Sequence, residues 1–158
     1  MGAGKSTVGR LLAARLGVPF ADSDTVLEQR DGRSPREIFA ADGEGAFRRL
    51  ERAVIADLLG RGPDAPGVVA LGGGAVQDLG TRTLLRDTFV VHLEVSYRQV
   101  LARVGGDPGR PVLARPDLEQ VYASRVPLYR EVASLVVTTD GLDAVAVADA
   151  IAAALSRR

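Results

Sequence analysis

The stretch Met1-Gly2-Ala3-Gly4-Lys5-Ser6-Thr7 constrains this chain more than any other. It matches the end of the phosphate-binding loop pattern G-x-x-x-x-G-K-[ST]. Small glycines let backbone N–H groups curl inward around phosphate oxygens. Lys5 offers the outer phosphates a compact charge, and the Ser6 hydroxyl is suited to hold Mg²⁺. Val8 to Leu16 carries apolar residues at helical spacing, so a helix opens at the loop and aims its N-terminal dipole at the same anion. Of the 20 Lys and Arg residues, only Lys5 is a lysine. A planar guanidinium cannot replace an ammonium inside a phosphate cradle.

A loop of this kind is normally fed by the buried central strand of a parallel sheet. Here the first Gly of the pattern falls two residues before Met1, and the feeding strand falls with it. The sequence therefore reads as starting at an internal Met, with its first strand missing or truncated. A sheet without its central strand leaves two edges unpaired, and this form is expected to fold poorly.

The bounds set by composition are ordinary. A chain of 158 residues, 46% hydrophobic and 25% charged, suits one domain around one core. A formal net charge of zero gives no reason to expect nucleic acid or an acidic membrane as partner. Without Cys there are no disulfides, thiolate metal sites or Cys nucleophiles. No signal peptide or membrane-spanning run is evident, and cytoplasm is the expected compartment.

Along the chain, strands alternate with helices. Val18–Ala21 reads as a short buried strand that delivers Asp22-Ser23-Asp24 at its C-terminal end, where ligands gather in open α/β sheets. Of those two carboxylates, one can face Mg²⁺ through water and the other a substrate hydroxyl; a plain helix cap at Asp22 or Ser23, ahead of a helix Thr25–Arg30, is the blander account. Gly32 to Pro35 is a turn and cap before a short helix through Phe39, and Asp42-Gly43-Glu44 opens a longer helix to about Leu59. Val68–Leu71 is a second strand, running into Gly72-Gly73-Gly74, which permit close backbone approach to a ligand. Gln77 to Arg86 reads as helix, Phe89–Glu94 as a third strand and Tyr97–Val104 as a helix. His92 lies within the apolar third strand, which favours a structural role. The segment of about 105–117 has the composition of a lid with Arg110 at its tip. A helix from about Leu118, a last strand Ser134–Thr139 and a helix Leu142–Leu155 complete the pattern. The implied fold is a three-layer α/β phosphate-loop kinase with a parallel sheet, four strands of it visible.

Six motifs in order carry a resemblance over essentially the whole chain: GAGKST at Gly2–Thr7, DSD at Asp22–Asp24, GE-x-x-FRR-x-E from Gly43 to Glu51, GGGA at Gly72–Ala75, RPVL at Arg110–Leu113 and R-x-PLY at Arg125–Tyr129. In these the chain resembles the shikimate kinases. The resemblance implies that Gly2, Ala3, Gly4, Lys5, Ser6 and Thr7 bind the ATP phosphates. It implies one Mg²⁺ on Ser6, with Asp22 in its outer shell. Asp24 is similar to the carboxylate that grips the shikimate hydroxyls, and Arg48 and Arg125 to the pair that clamps its carboxylate. Gly72, Gly73 and Gly74 would lie against the ring, with Phe39, Phe47 and Glu51 as pocket wall and charge partner over a substrate-binding region of about 23–60. Lys5, Asp24 and Arg110 would be catalytic, Arg110 reaching ATP from the lid and Arg103 flanking adenine. An adenine-side Arg after the last strand is absent from Asp140-Gly141-Leu142. The implied protein is a monomer acting on ATP and shikimate. Two other readings stay open: a related small-molecule kinase of the gluconate kinase type, and a non-catalytic module that senses shikimate without turnover. A nucleoside monophosphate kinase fits less well, because no base-binding insertion is evident.

Overall fold

The structure is a computed structural model describing residues 2–60, 65–104 and 117–157. Helix α1 (Lys5–Leu16) begins directly after Gly4, whose φ of 76° and ψ of 25° place it in the left-handed region. No side chain caps this helix, and no acidic residue occupies its first turn. The N-terminus is thereby left to an anion rather than to a protein carboxylate. Strand β1 (Phe20–Asp22) leads without a loop into α2 (Ser23–Asp31), because Asp22 is both the last strand residue and the helix N-cap. Ser34 and Glu37 form a reciprocal capping box at the start of α3 (Pro35–Leu58), with Pro35 in its first turn. Inside α3, Gly43 at φ 79° and ψ 171° breaks the helix. That is the break expected from Asp42-Gly43-Glu44 between a short and a long helix.

Strand β2 (Val68–Ala70) runs into the glycines and a 3-10 turn, Ala75–Gln77, before α4 (Leu79–Leu85). The single helix expected over Gln77 to Arg86 is thus split, since Asp78 leaves the helical region and caps α4 through Thr81. Then come β3 (Val91–Glu94), α5 (Tyr97–Val104), α6 (Leu118–Val132), β4 (Leu135–Thr138) and α7 (Ala144–Leu155). The strands are one or two residues shorter than the apolar runs suggest, because those runs also cover residues flanking the paired segments, and β1 ends one residue later, at Asp22. The expected lid at about 105–117, Arg110 included, lies outside the described residues except for Asp117.

β1 pairs with β2 in parallel, Phe20 opposite Val68, and β3 pairs with β4 in parallel, Val91 opposite Leu135. On one side of β3, Val91 and Leu93 pack with Val8 and Leu12 of α1 and with Val147, Ala148 and Ile151 of α7. On the other, His92 stacks on Tyr129 of α6, ring centroids 5.1 Å apart. Alternation along a strand puts these contacts on opposite faces, so helices cover both sides of the strand layer. A separate cluster, Leu27, Ile38, Phe47 and Val54, fastens α2 to α3.

Among the described residues, β2 and β3 do not pair with each other. Between them lies an apolar cavity of about 430 Å³, bounded by Val8, Leu12, Val68, Val69, Val91 and Leu93, with Lys5 also on its lining. This slot separates two parallel pairs and opens at the phosphate loop, which is where a central strand feeding that loop was expected. Each apolar side chain buried there would contribute about 1.5–3 kcal/mol before the entropy of ordering the strand is subtracted. An apolar strand-forming extension ahead of Met1 is therefore expected to raise the Tm by about 6–12 °C, which corresponds to a net gain of about 3 kcal/mol. Calorimetry of the two forms, with hydrogen exchange at Val68–Ala70 and Val91–Glu94, checks this. Equal melting and equal exchange would refute it.

Candidate active site

The functional side chains gather where the strands end. Ser6, in the first turn of α1, donates its hydroxyl to Asp22 Oδ2 at 2.5 Å, and Asp22 Oδ1 accepts from the Asp24 backbone N–H at 3.1 Å. Asp22 therefore serves as the helix cap that the sequence allowed, and it also holds the Ser6 hydroxyl of the phosphate loop. Ser23 is buried and accepts from the Gly72 N–H at 3.0 Å, tying the DSD segment to the glycines.

Asp24 is a perturbed carboxylate facing this space. Burial, and then the neighbouring Asp22 charge, raise its pKa above the ordinary 3.8, while Lys5 and Arg48 pull it back. Glu51, only 2% exposed, is likewise raised, chiefly by burial, against the opposing pull of Arg48. Arg48 donates through Nη1 to Glu51 Oε2 at 2.6 Å, and its guanidinium lies 5.1 Å from the Phe47 ring centre.

The three glycines are required by their neighbours more than by backbone angle, since none of them has a positive φ. A Cβ on Gly72 would come within 2.7 Å of both Asp24 Oδ1 and Glu51 Oε1. A Cβ on Gly74 would collide with the Arg48 guanidinium. Gly73 offers its carbonyl to the Tyr129 hydroxyl at 2.5 Å, linking the loop to α6. The sequence expected close approach to a ligand; the structure shows that the site's own charged side chains press against this backbone first.

From α6, Arg125 enters the same space. Its Nη2 donates to Gln77 Oε1 at 2.8 Å, and Arg48 Nη2 donates to that same oxygen at 3.2 Å. The Nε–H groups of both arginines are buried and, among the described residues, have no hydrogen-bond partner. Two guanidinium groups that share one neutral acceptor and each keep a buried donor unmet suit an anion, and a carboxylate can satisfy them. Phe39 is 43% exposed and meets Phe47 at 5.8 Å between ring centres, so it flanks this space without being buried in it. Arg103 lies on α5 but its side chain, like all of Arg110, falls outside the described residues. Gln77 and Tyr129 were given no individual role by the sequence, and Ser23 only that of a possible helix cap; nothing in a polar residue after GGGA marks it as the meeting point of two arginines.

A phosphate loop opening a helix, carboxylates at the adjacent strand end and a pair of arginines facing them define a small phosphate-loop phosphotransferase. The family model described as shikimate kinase matches residues 1–156. Curated shikimate kinases from Mycobacterium tuberculosis (strain ATCC 25177 / H37Ra) and Thermobifida fusca (strain YX) are each 48% identical to it, over 88% and 87% of this chain and 80% of each relative. Among solved structures, the shikimate kinase from Acinetobacter baumannii in complex with shikimate superposes with a TM-score of 0.90 at 37% identity, covering 100% of this chain and 90% of that one. This chain belongs to the shikimate kinase family.

Substitutions at the glycines separate crowding from backbone freedom. Gly74→Ala displaces a flexible guanidinium and is expected to cost at most about 1–3 kcal/mol of stability, while weakening binding of a carboxylate-bearing acceptor. Gly72→Ala drives a methyl into two carboxylates and is expected to destabilise the fold more. Melting curves paired with acceptor binding check the order. For Asp24, the folded state holds a proton more tightly than the unfolded state does, so its contribution to stability is present at low pH and is lost as pH rises from 3.8 through the raised value. Asp24→Asn is therefore expected to melt no lower than the parent at pH 7, although it loses activity; a clearly lower melt would contradict this.

Proposed function

We propose that this chain transfers the γ-phosphoryl group of ATP to the 3-hydroxyl of shikimate, giving shikimate 3-phosphate and ADP, in the cytoplasm. The observation that carries the reading is the convergence of Arg48 and Arg125 on one acceptor, with both Nε–H donors buried and, among the described residues, unpartnered, beside a perturbed Asp24 and the Lys5 loop. The acceptor's carboxylate would pair with the two guanidinium groups and fix the ring. Its ring would lie along Gly72–Gly74, bringing a hydroxyl to Asp24.

Asp24 accepts the hydrogen bond of the attacking hydroxyl and orients it. With its pKa raised, its carboxylate is a better proton acceptor than a solvated aspartate as the P–O bond forms and the bond to the β-phosphate oxygen breaks. Lys5 and the backbone N–H groups of Gly2–Thr7 bind the β- and γ-phosphates at the N-terminus of α1. Arg110, from the lid segment, would add positive charge at the transferring group, and Arg103 would flank the adenine.

Mg²⁺ fits the donors present. Ser6 and Asp22 offer hard oxygens already in contact at 2.5 Å. Among the described residues no group of three or more His, Cys, Asp or Glu side chains could cage an ion, so phosphate oxygens and water would complete its coordination. When bound, the ion supplies charge neutralisation on the β- and γ-phosphate oxygens. Ser6 would ligate it directly, and Asp22 would hold Ser6 and a metal-bound water in place.

The test is ADP release with shikimate, run on this chain and on a form extended by an apolar strand ahead of Met1. Shikimate-dependent turnover that is abolished by chelating Mg²⁺ supports the reading. Arg125→Ala is expected to weaken shikimate by about 30-fold or more, since truncating one partner of a buried charge pair costs about 2–5 kcal/mol. Asp24→Asn is expected to lower kcat by about 10²–10⁴-fold. Shikimate binding without turnover in either form would instead favour a sensing module.

A further inference from the structure

Gln77 closes the 3-10 turn after the glycines and belongs to none of the motifs that mark the site. Its side-chain oxygen is nevertheless the common acceptor for Arg48 and Arg125, at 3.2 and 2.8 Å. The oxygen must face them, because a guanidinium only donates. Arg48 is anchored from behind by Glu51 through Nη1, while Arg125 approaches from α6. Gln77 therefore joins α3 to α6 across the place where two like charges converge.

The fork geometry says what this oxygen lacks. In arginine, Nη2–H and Nε–H share one edge, spaced to receive the two oxygens of a carboxylate. Gln77 accepts from Nη2 of both arginines, Glu44 Oε1 lies 3.4 Å from the same Nη2 of Arg48, and among the described residues the Nε–H of each arginine is buried without a partner. One neutral oxygen thus serves two guanidinium groups and leaves their Nε–H donors unmet. A carboxylate brings a second oxygen and a negative charge that both arginines can share.

We propose that Gln77 is a positioning residue of the anion clamp: it holds Arg48 and Arg125 toward a common point in the empty site and cedes that point to the acceptor's carboxylate. The inference rests on the reading of Arg48 and Arg125 as that clamp. Without Gln77, Arg48 stays held by Glu51 and Glu44, but Arg125 loses the contact that turns it toward Arg48, so the incoming carboxylate must order Arg125 against a like charge. With a permanent carboxylate at the same position, the clamp is already neutralised.

The experiment is calorimetric binding of shikimate and of ATP to the 158-residue chain, to Gln77→Ala, Gln77→Glu and Gln77→Asn, and to Arg125→Ala as reference. Gln77→Ala is expected to weaken shikimate about three- to tenfold by adding the cost of ordering the side chains. Gln77→Glu is expected to weaken it more than tenfold through competition for both guanidinium groups. ATP affinity is expected to stay within twofold, and Gln77→Asn to recover part of the Ala loss. For the primary amide of shikimate, which carries no charge, the penalty of Gln77→Glu is expected to shrink. Gln77→Ala binding shikimate as tightly as the parent or tighter, or losing ATP and shikimate in step, overturns the proposal. If Arg125→Ala weakens shikimate strongly and the Gln77 variants do not, only the role of Gln77 falls. If Arg125→Ala is also without effect, or the unsubstituted chain binds no shikimate, the clamp reading falls and takes this proposal with it.

Discussion

The arrangement at the strand ends depends on Arg48 being held by Glu51. A carboxylate 2% exposed is expensive to keep charged, and a guanidinium at 2.6 Å is what offsets that cost. Removing either partner of such a buried pair typically costs about 3–5 kcal/mol, because the other charge is left stranded. The pair sets the position of the Arg48 fork, and the fork leaves no room for a side chain at Gly74. Glu51 and Asp24 together leave none at Gly72. Gly72 and Gly74 are thus a consequence of where α2 and α3 place their charges.

The same crowding explains why the site works against the fold. Asp22, Asp24 and Glu51 bring three carboxylates into a region answered by Lys5 and Arg48, and both Asp24 and Glu51 are pushed toward the neutral form. Among the described residues, the arginine forks add two buried N–H donors with no partner. Each of these features is unfavourable in the empty protein; in the proposed reading a ligand would relieve them, its hydroxyls at Asp24 and its carboxylate at the arginines. Binding free energy is then available for orientation at the reacting centre.

The slot between β2 and β3 bears on this site directly. Lys5 lies on its lining, and Ala3 packs with Val95 and Val100 just beyond the end of β3. One strand pair carries Asp22 and leads to the glycines, the other carries His92 against Tyr129, and α1 packs with residues of both. Among the described residues, the relative placement of Asp24 and Arg125 therefore relies on helix packing and on the Tyr129–Gly73 and Arg125–Gln77 contacts, without a strand ladder between the two halves. Continuous hydrogen bonding across the slot would fix that placement far more stiffly.

Much of this protein was legible in one dimension. The phosphate loop, the capping box at Ser34 and Glu37, the break at Gly43 and the parallel alternation all follow from local rules: left-handed angles favour glycine, caps need a side-chain oxygen, and strand and helix have different periods. The split at Asp78 was missed because its capping bond to Thr81 competes locally with an otherwise helical run. Arg48 and Arg125 could be named from motifs, yet their meeting at Gln77 could not, since they lie on different helices and Gln77 has no local signature. Likewise, no window of sequence says that Asp24 and Glu51 will share the space over Gly72 and that Asp24 will raise the proton affinity of Glu51. By itself the sequence determined the elements and the chemistry each end carries, because those depend on neighbours along the chain. Only the tertiary structure decided which charges face one another, because that depends on the packing of helices whose residues are far apart in sequence.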